Sequence, residues 1–442
     1  MKKLSVILII LISILFMVSC SWVAGSNGKS TFSQGITMQS SGRDMTDKSG
    51  HGDSLVQIKF ASGGASTELR WRRKQVAAFE KKFPYIKVDF VEIQEGYRYE
   101  QLLAMIAGGE APDVVYLNAD YTTPFAAKGY LLDLGSYIQT DKEFDINNYY
   151  KGLVDSCTYN GRLYGIPQEV HPLVVYYNKD IFDAAKVPYP DGSWTIQQYY
   201  DIAGKVTSRE GTGKVYGMVA DTWWAGFGYF STAKGVNIVK NPQSHELEWF
   251  LDYYYNAVFR DKIAPTNAVL ESAGGAEQMF YAGKLAMMIR GAWELPLFKD
   301  EPPRVRWDVC KAPMETNGKY SAAKLEYGIY KESRHPDEAW KLIKFDASKE
   351  GQEFYSTTLL GMPVLKDRNI TKVWADTARN LISRPEAFIE EAENLNEAIF
   401  MDVNFAEKQA VFSEEIGAMI AGQLSKEQAA KNIRERIRRL ER

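Results

Sequence analysis

The sequence predicts an α/β protein built as two lobes, and three observations carry that prediction. The chain has 442 residues, more than one hydrophobic core accommodates before chains divide. Its folded part opens with two successive strand–helix–strand patterns, the unit of a parallel sheet with right-handed crossovers. The stretch Gly165–Asp180, GIPQEVHPLVVYYNKD, sets a polar, proline-bracketed half before an unbroken apolar run from Leu173 to Tyr177. Pro167 and Pro172 fix their own φ and push the preceding residues toward extended geometry, so the polar half reads as a stiff connector and the apolar half as a buried strand.

Taken in order, Lys2 and Lys3 precede an apolar run from Leu4 to Val18 that ends in Ser19 and Cys20. Such a run is a secretion signal over residues 1–19, too short and wrongly flanked for a membrane span. Met17-Val18-Ser19-Cys20 resembles the bacterial lipobox, which implies a lipid-modified Cys20 at the mature N-terminus. Two acyl chains there, palmitate among them, would anchor the protein stably on the extracytoplasmic side of the cell membrane. From Cys20 to Asp53 the chain is rich in Ser and Gly and too polar to bury a core, so 20–53 reads as a flexible tether.

Folding begins at Leu55, where Val56, Ile58 and Phe60 alternate with Gln57 and Lys59 in a strand ending at Gly63-Gly64. A helix from Ser66 to Lys82 follows, then a strand over Ile86–Ile93, a helix over Tyr97–Ala107, and a strand over Val114–Leu117. Asn118, Asp120 and Tyr121 fall in the loop beyond that strand. Ligands of open α/β sheets sit outside the carboxyl ends of strands, which makes Gly63, Gly64, Asn118 and Asp120 candidate site residues. Beyond the crossing the pattern predicts a helix from Trp194-Thr195 to Thr207, a strand over Val215–Met218, helices over Leu247–Phe259 and Glu277–Tyr281, and a strand over Leu285–Ile289. Trp223 and Trp224 lie between them in a glycine-flanked loop, where adjacent side chains cannot both face one core. A strand over Val305–Val309, a second polar crossing over Tyr320–Leu325 with Gly328 and Tyr330 leading into a helix, a helix over Pro336–Ala347, a third turn at Gly361-Met362-Pro363 and a helical tail complete the chain.

The formal charge of -3, with Lys and Arg scattered except at the C-terminus, argues against a nucleic-acid partner. Aromatic residues make up 13% of the chain, with 10 Trp and 26 Tyr, consistent with rings offered to flat apolar faces. No HExxH, no GxSxG and no phosphate-cradling glycine loop occurs, and the four His show no ligand spacing, so neither metal nor cofactor is expected. Cys157 and Cys310 suit one disulfide or two buried thiols.

DVVYLNAD (Asp113–Asp120), GRLYGIP, YYNKDIFDAAKVP, SWTIQQYYDIAGKVT, FYAGKLAMMIRGAW and AWKLIKF with GMP occur in that order. With them the chain resembles the carbohydrate-specific extracellular solute-binding proteins of ABC importers, the maltose-binding type, from about Leu55 onward. The resemblance implies an α/β two-lobe periplasmic-binding-protein type II fold. Lobe 1 would comprise 54–168 and 324–361 and lobe 2 would comprise 172–320 and 364–442, with hinge crossings at 169–171, 321–323 and 362–363. It implies ligand contacts from Gly63, Gly64, Asn118, Asp120, Glu169 and His171, from Trp223 or Trp224, from Arg290 and Trp293, and from Glu326 or Tyr327. His171 and the run Ala322–Glu326 depart from the family pattern, so the identity of the sugar does not carry over.

Sugars suit such residues chemically: carboxylates and guanidinium groups take vicinal hydroxyls in pairs, and rings cover C–H faces. Plainer roles compete with these, among them Asp120 as a helix-capping acid, Arg290 as a partner of Glu294, Glu169 as an acceptor for hinge amides, and Trp293 as core. The expectation is a monomeric, lipid-anchored, non-enzymatic receptor that captures a mono- or oligosaccharide and delivers it to the membrane subunits of an ABC permease. The alternatives are a sugar sensor that presents its ligand to a membrane receptor, and a surface glycosidase using Asp120 and Glu169.

Overall fold

The computed structural model describes residues 55–442 apart from 65, 95–97, 209–212, 317, 319–321, 394 and 396–401. The expected signal peptide, Cys20, the tether and Ser321 of the second crossing lie outside the described residues. The described residues belong to one compact unit, Asp53–Arg442.

Two main sheets organise it. Strands β1 (Val56–Gly63), β2 (Ile86–Ile93) and β3 (Val114–Asn118) are parallel and are joined through the helices Ser66–Lys82 and Arg98–Ala107. A small hairpin, β4 (Thr158–Tyr159) and β5 (Arg162–Leu163), precedes β6 (Ile166–Pro172), which returns to the first sheet. Strands β7 (Val174–Asn178), β8 (Met287–Arg290) and β9 (Trp307–Lys311) form the second sheet, and β10 (Ala322–Ile329) rejoins the first. The orders are β2-β1-β3-β10-β6 and β8-β7-β9. The chain therefore passes from sheet to sheet between β6 and β7, through Leu173 alone, and again between β9 and β10.

Alternation in β1 buries Ile58 and Phe60 against Phe79, Ile86, Tyr116 and Tyr327. A second core gathers Val175, Phe182, Tyr199, Phe227, Phe250, Phe412 and Ile433. The first cluster continues through Val174 and Tyr176 of β7 to Phe298, Trp374 and Phe388, so apolar packing runs across the crossings. Thr195 caps the helix Ile196–Val206 in a reciprocal capping box with Gln198, which starts that helix two residues after Trp194.

Several expectations are corrected. The polar half of Gly165–Asp180 is not a connector but strand β6, all seven residues of which are buried. The second crossing is likewise strand β10, paired with β6 at Ala322↔Pro172 and Ala323↔His171, and it runs through Gly328 rather than leading into a helix there. The third turn pairs with β6 as well, through reciprocal backbone bonds between Val170 and Met362. Proline is tolerated in β6 because an edge strand leaves amides without a ladder partner, and its charged side chains find partners behind the sheet. Val215–Met218 is no strand. It makes a single bridge, Tyr216↔Leu285, and the amides of Gly217 and Met218 both donate to the carbonyl of Ile263. Asp120 and Tyr121 lie not in a loop but in the helix Ala119–Ala127. Of the two alternatives held open for Cys157 and Cys310, the structure has the second, two free, buried thiols.

Candidate functional site

The carboxyl ends of β1, β3 and β8 and the start of β10 converge on a cavity of about 580 Å³. On the side of the first sheet, β3 supplies Tyr116 and ends at Asn118, whose extended backbone starts the helix carrying Asp120 in its first turn. Across the sheet, Leu325 stands opposite Asn118, and Ala323, Lys324 and Leu325 complete this wall. Glu68 enters from the first turn of the helix after β1. Gly64 makes room for it. Its φ is +150°, and a Cβ there would fall 2.0 Å from Glu68 Oε2.

On the other side, Asp221, Trp223 and Trp224 line the cavity where the helix Trp224–Ala233 begins. The two indoles are not alternating residues of an extended loop. Trp223 is the residue before the first helical turn and Trp224 opens it, which lets both reach the cavity while Trp224, 7% exposed, also packs in the core. Strand β8 ends at Arg290, and Gly291-Ala292 carry the chain to Trp293, just ahead of the helix Glu294–Asp300. Val219, Leu270 and the run from Gly275 to Glu277 add to the lining on this side.

Charge is arranged around Arg290. Its Nη1 and Nη2 donate to both oxygens of Asp221 at 2.9 and 3.2 Å, and its Nε donates to Glu277 at 2.6 Å. Burial alone would depress the guanidinium, and Asp221 with Glu277 more than reverses that. The same pairing holds Glu277 below the usual carboxylate range in spite of its burial. Glu294 is not the ion-pair partner of Arg290; its Oε1 accepts from the Trp293 indole at 3.0 Å. Burial, then Glu277, pushes the Glu294 carboxyl up to about 7.

Of the residues singled out in the sequence, Asn118, Asp120, His171, Trp223, Trp224, Arg290 and Trp293 line one cavity. Gly63 and Gly64 do not line it, although Gly64 shapes it through Glu68. Glu169, Tyr327 and Glu326 lie behind the wall, 2%, 0% and 1% exposed. Glu169 accepts from Arg72 and from the Tyr116 hydroxyl, and its Oε2 is 3.5 Å from His171 Nε2. Burial raises its pKa, but Arg72, followed by His171 and Tyr116, outweighs burial and leaves it lowered. The Tyr327 hydroxyl accepts from Arg72 Nη1 at 3.1 Å, whereas Glu326, on the other face of β10, sits beside Cys157. Glu68, Tyr116, Asp221, Glu277 and Lys324 were missed. For Asp221 the signal was present: it stands two residues before the paired indoles.

Among the described residues no group of three or more His, Cys, Asp or Glu is placed to hold a metal ion, and no helix is long and apolar enough to cross a membrane. The sequence pattern of a family described as bacterial extracellular solute-binding protein matches residues 64–353. The galactooligosaccharide-binding protein of Bacillus subtilis is 23% identical over 335 residues, 73% of this chain and 76% of its own length. A maltooligosaccharide ABC transporter solute-binding lipoprotein of Streptococcus pneumoniae is 26% identical over 49% of this chain and 50% of its own. Among solved structures, an ABC substrate-binding protein from Listeria monocytogenes in complex with cycloalternan superposes with a TM-score of 0.80 at 26% identity, covering 88% of this chain and 99% of that one.

Proposed function

Given that this chain belongs to the bacterial extracellular solute-binding protein family, we propose that it is the extracytoplasmic receptor of an ABC sugar importer. It captures a mono- or oligosaccharide by closing two lobes over it. The observation that carries this reading is one cavity in which Trp223, Trp224, Trp293 and Tyr116 stand among Glu68, Asp120, Asp221 and Glu277. Rings of that kind cover the C–H faces of sugars, and carboxylates take their hydroxyls. Within a water-poor cleft each unmatched hydroxyl is costly, which is how such a site discriminates. Closure follows from ligand only if the closed state binds it better, which walls drawn from two sheets provide.

The lobes divide near 169–171, 321–323 and 362–363, where β6, β10 and the Met362 bridge meet. Cys20 anchors the protein through lipid, a reading supported by the lipoprotein from Streptococcus pneumoniae. The receptor acts as a monomer, binds without chemistry, and hands the sugar to separate membrane subunits. A thermal-shift screen of the domain from Leu55 against galacto-oligosaccharides, maltotriose, cycloalternan, monosaccharides, amino acids and polyamines tests this. One sugar class raising the melting temperature and recovered unaltered is the expected result. A shift only with amino acids or polyamines overturns the ligand class, and cleavage of the sugar overturns the receptor reading.

A further inference from the structure

The Trp293 ring is held on several sides. His171 approaches it at 5.2 Å between ring centroids and Trp223 at 5.9 Å. A Cβ at Gly291 would fall 2.1 Å from Trp293 Cζ3, so the ring lies flat on bare backbone. Its indole N–H is tied to Glu294 Oε1 at 3.0 Å. Glu294 itself is 3% exposed and is the neighbour of Trp293 in sequence, so its side chain is fixed by the first turn of the helix Glu294–Asp300.

The surroundings of Glu294 leave its charge poorly balanced. Glu277 and Tyr281 face it from the helix Ala276–Tyr281, Tyr176 from β7, Glu68 from the helix after β1, and Arg290 from β8. Arg290 is the only cation among these, and its donors are engaged by Asp221, Glu277 and the carbonyl of Ile289. A carboxylate in such a place accepts a strong, charge-assisted bond from the indole, whereas the neutral acid accepts a weaker one. Burial and Glu277 place that change near neutral pH.

We propose that Glu294 is the positioning residue of the Trp293 platform: its carboxylate fixes the indole for ligand stacking, and a proton taken from solvent loosens the ring and weakens binding. The proposal rests on the reading of the cleft as a sugar site, and its test separates the two. The first arm needs no sugar: the Trp293 indole ¹H–¹⁵N resonance, assigned by its loss in Trp293→Phe, is followed from pH 5 to 9. It titrates near pH 7 in the wild-type protein and is flat in Glu294→Gln, an isosteric change that keeps an acceptor and the fold. A resonance that does not move, or that titrates equally in Glu294→Gln, overturns the tie.

The second arm measures binding of galacto-oligosaccharide, maltotriose and cycloalternan at pH 8 and pH 5.5. Affinity falls about fivefold on acidification in the wild type, the difference between a charged and a neutral hydrogen bond, and is unchanged by pH in Glu294→Gln. Calorimetry at pH 7 in buffers of different ionisation enthalpy reads a proton released on binding by the wild type only. Equal pH dependence in both proteins, or proton uptake, overturns the role of Glu294 in binding. If none of the three glycans binds at either pH, the sugar reading and the role in binding fall together, and the indole titration still decides the tie.

Discussion

Trp293 reaches the cavity because the residue two before it has no side chain. Replacing Gly291 by Ala should therefore act like removal of the ring: we expect Gly291→Ala and Trp293→Ala each to weaken sugar binding about tenfold or more, with little change in melting of the unliganded protein. Loss of folding in Trp293→Ala would make the ring part of the core instead of a platform. Glu294 has a separate effect on stability. Its folded pKa of about 7 lies above the ordinary 4.5 of the unfolded chain. The folded state thus holds a proton that the unfolded state has already released, and stability is lost as pH rises through that window. Glu294→Gln should accordingly raise the melting temperature at pH 8 and change it little at pH 4, with an upper limit of about 3 kcal/mol from the shift. Which residues gather was partly legible here. GxW and the paired Trp were visible as aromatic positions beside glycine, whereas Glu68, 48 positions from Tyr116, the next lining residue along the chain, carries no local mark and becomes a wall residue only because a helix follows β1.

At the scale of elements, the floor of the cleft is a buried polar layer that joins the helix Ser66–Lys82 to β3, β6 and β10. Arg72 donates to Tyr116, Glu169, Tyr327 and Gln75, and lies 4.5 Å from the centre of the Tyr116 ring. Asp346, buried nearby, is pushed up to about 7 by burial, which Arg72 and Tyr327 only partly offset. Removing one partner of such a pair strands the other charge. Arg72→Met should destabilise by about 3–5 kcal/mol in chemical denaturation at pH 7, and adding Glu169→Gln should restore much of the loss. Equal, additive losses would show that the two side chains do not act as a pair. Gln352 makes a further joint, donating to the Gln168 carbonyl and accepting from the Val364 amide at 2.9 Å each, so the helix Lys349–Ser356 grips β6 beside the third crossing. None of this is visible in the polar, proline-bracketed residues of β6, because a local pattern shows that they are polar and not which buried partners await them.

Over the whole molecule, contacts between the two sides differ in kind. Apolar packing through Tyr176, Phe298 and Phe388 is continuous with the first core, whereas Arg70–Asp300 is a half-exposed ion pair at 2.5 Å. Such a pair contributes about 0–1 kcal/mol and is screened by salt. We expect Arg70→Ala to leave melting nearly unchanged, and ligand at a hundred times its dissociation constant to stabilise by about 2.7 kcal/mol, read as a concentration-dependent melting temperature. Both thiols should stay unreactive to a thiol reagent until the chain unfolds, since burial raises the Cys157 and Cys310 pKa values. By itself the sequence determined the parallel strand–helix pattern of the first sheet, the helix that follows Trp194-Thr195 and the two-lobe class, because periodicity and turn residues act over a few positions. Only the tertiary structure decided that the crossings are strands, that Glu169 and Tyr327 lie behind the wall, and that Arg290 pairs with Asp221 and Glu277. Those outcomes depend on partners from 13 to 255 residues away, and burial makes satisfying each charge obligatory while leaving the choice of partner to the fold.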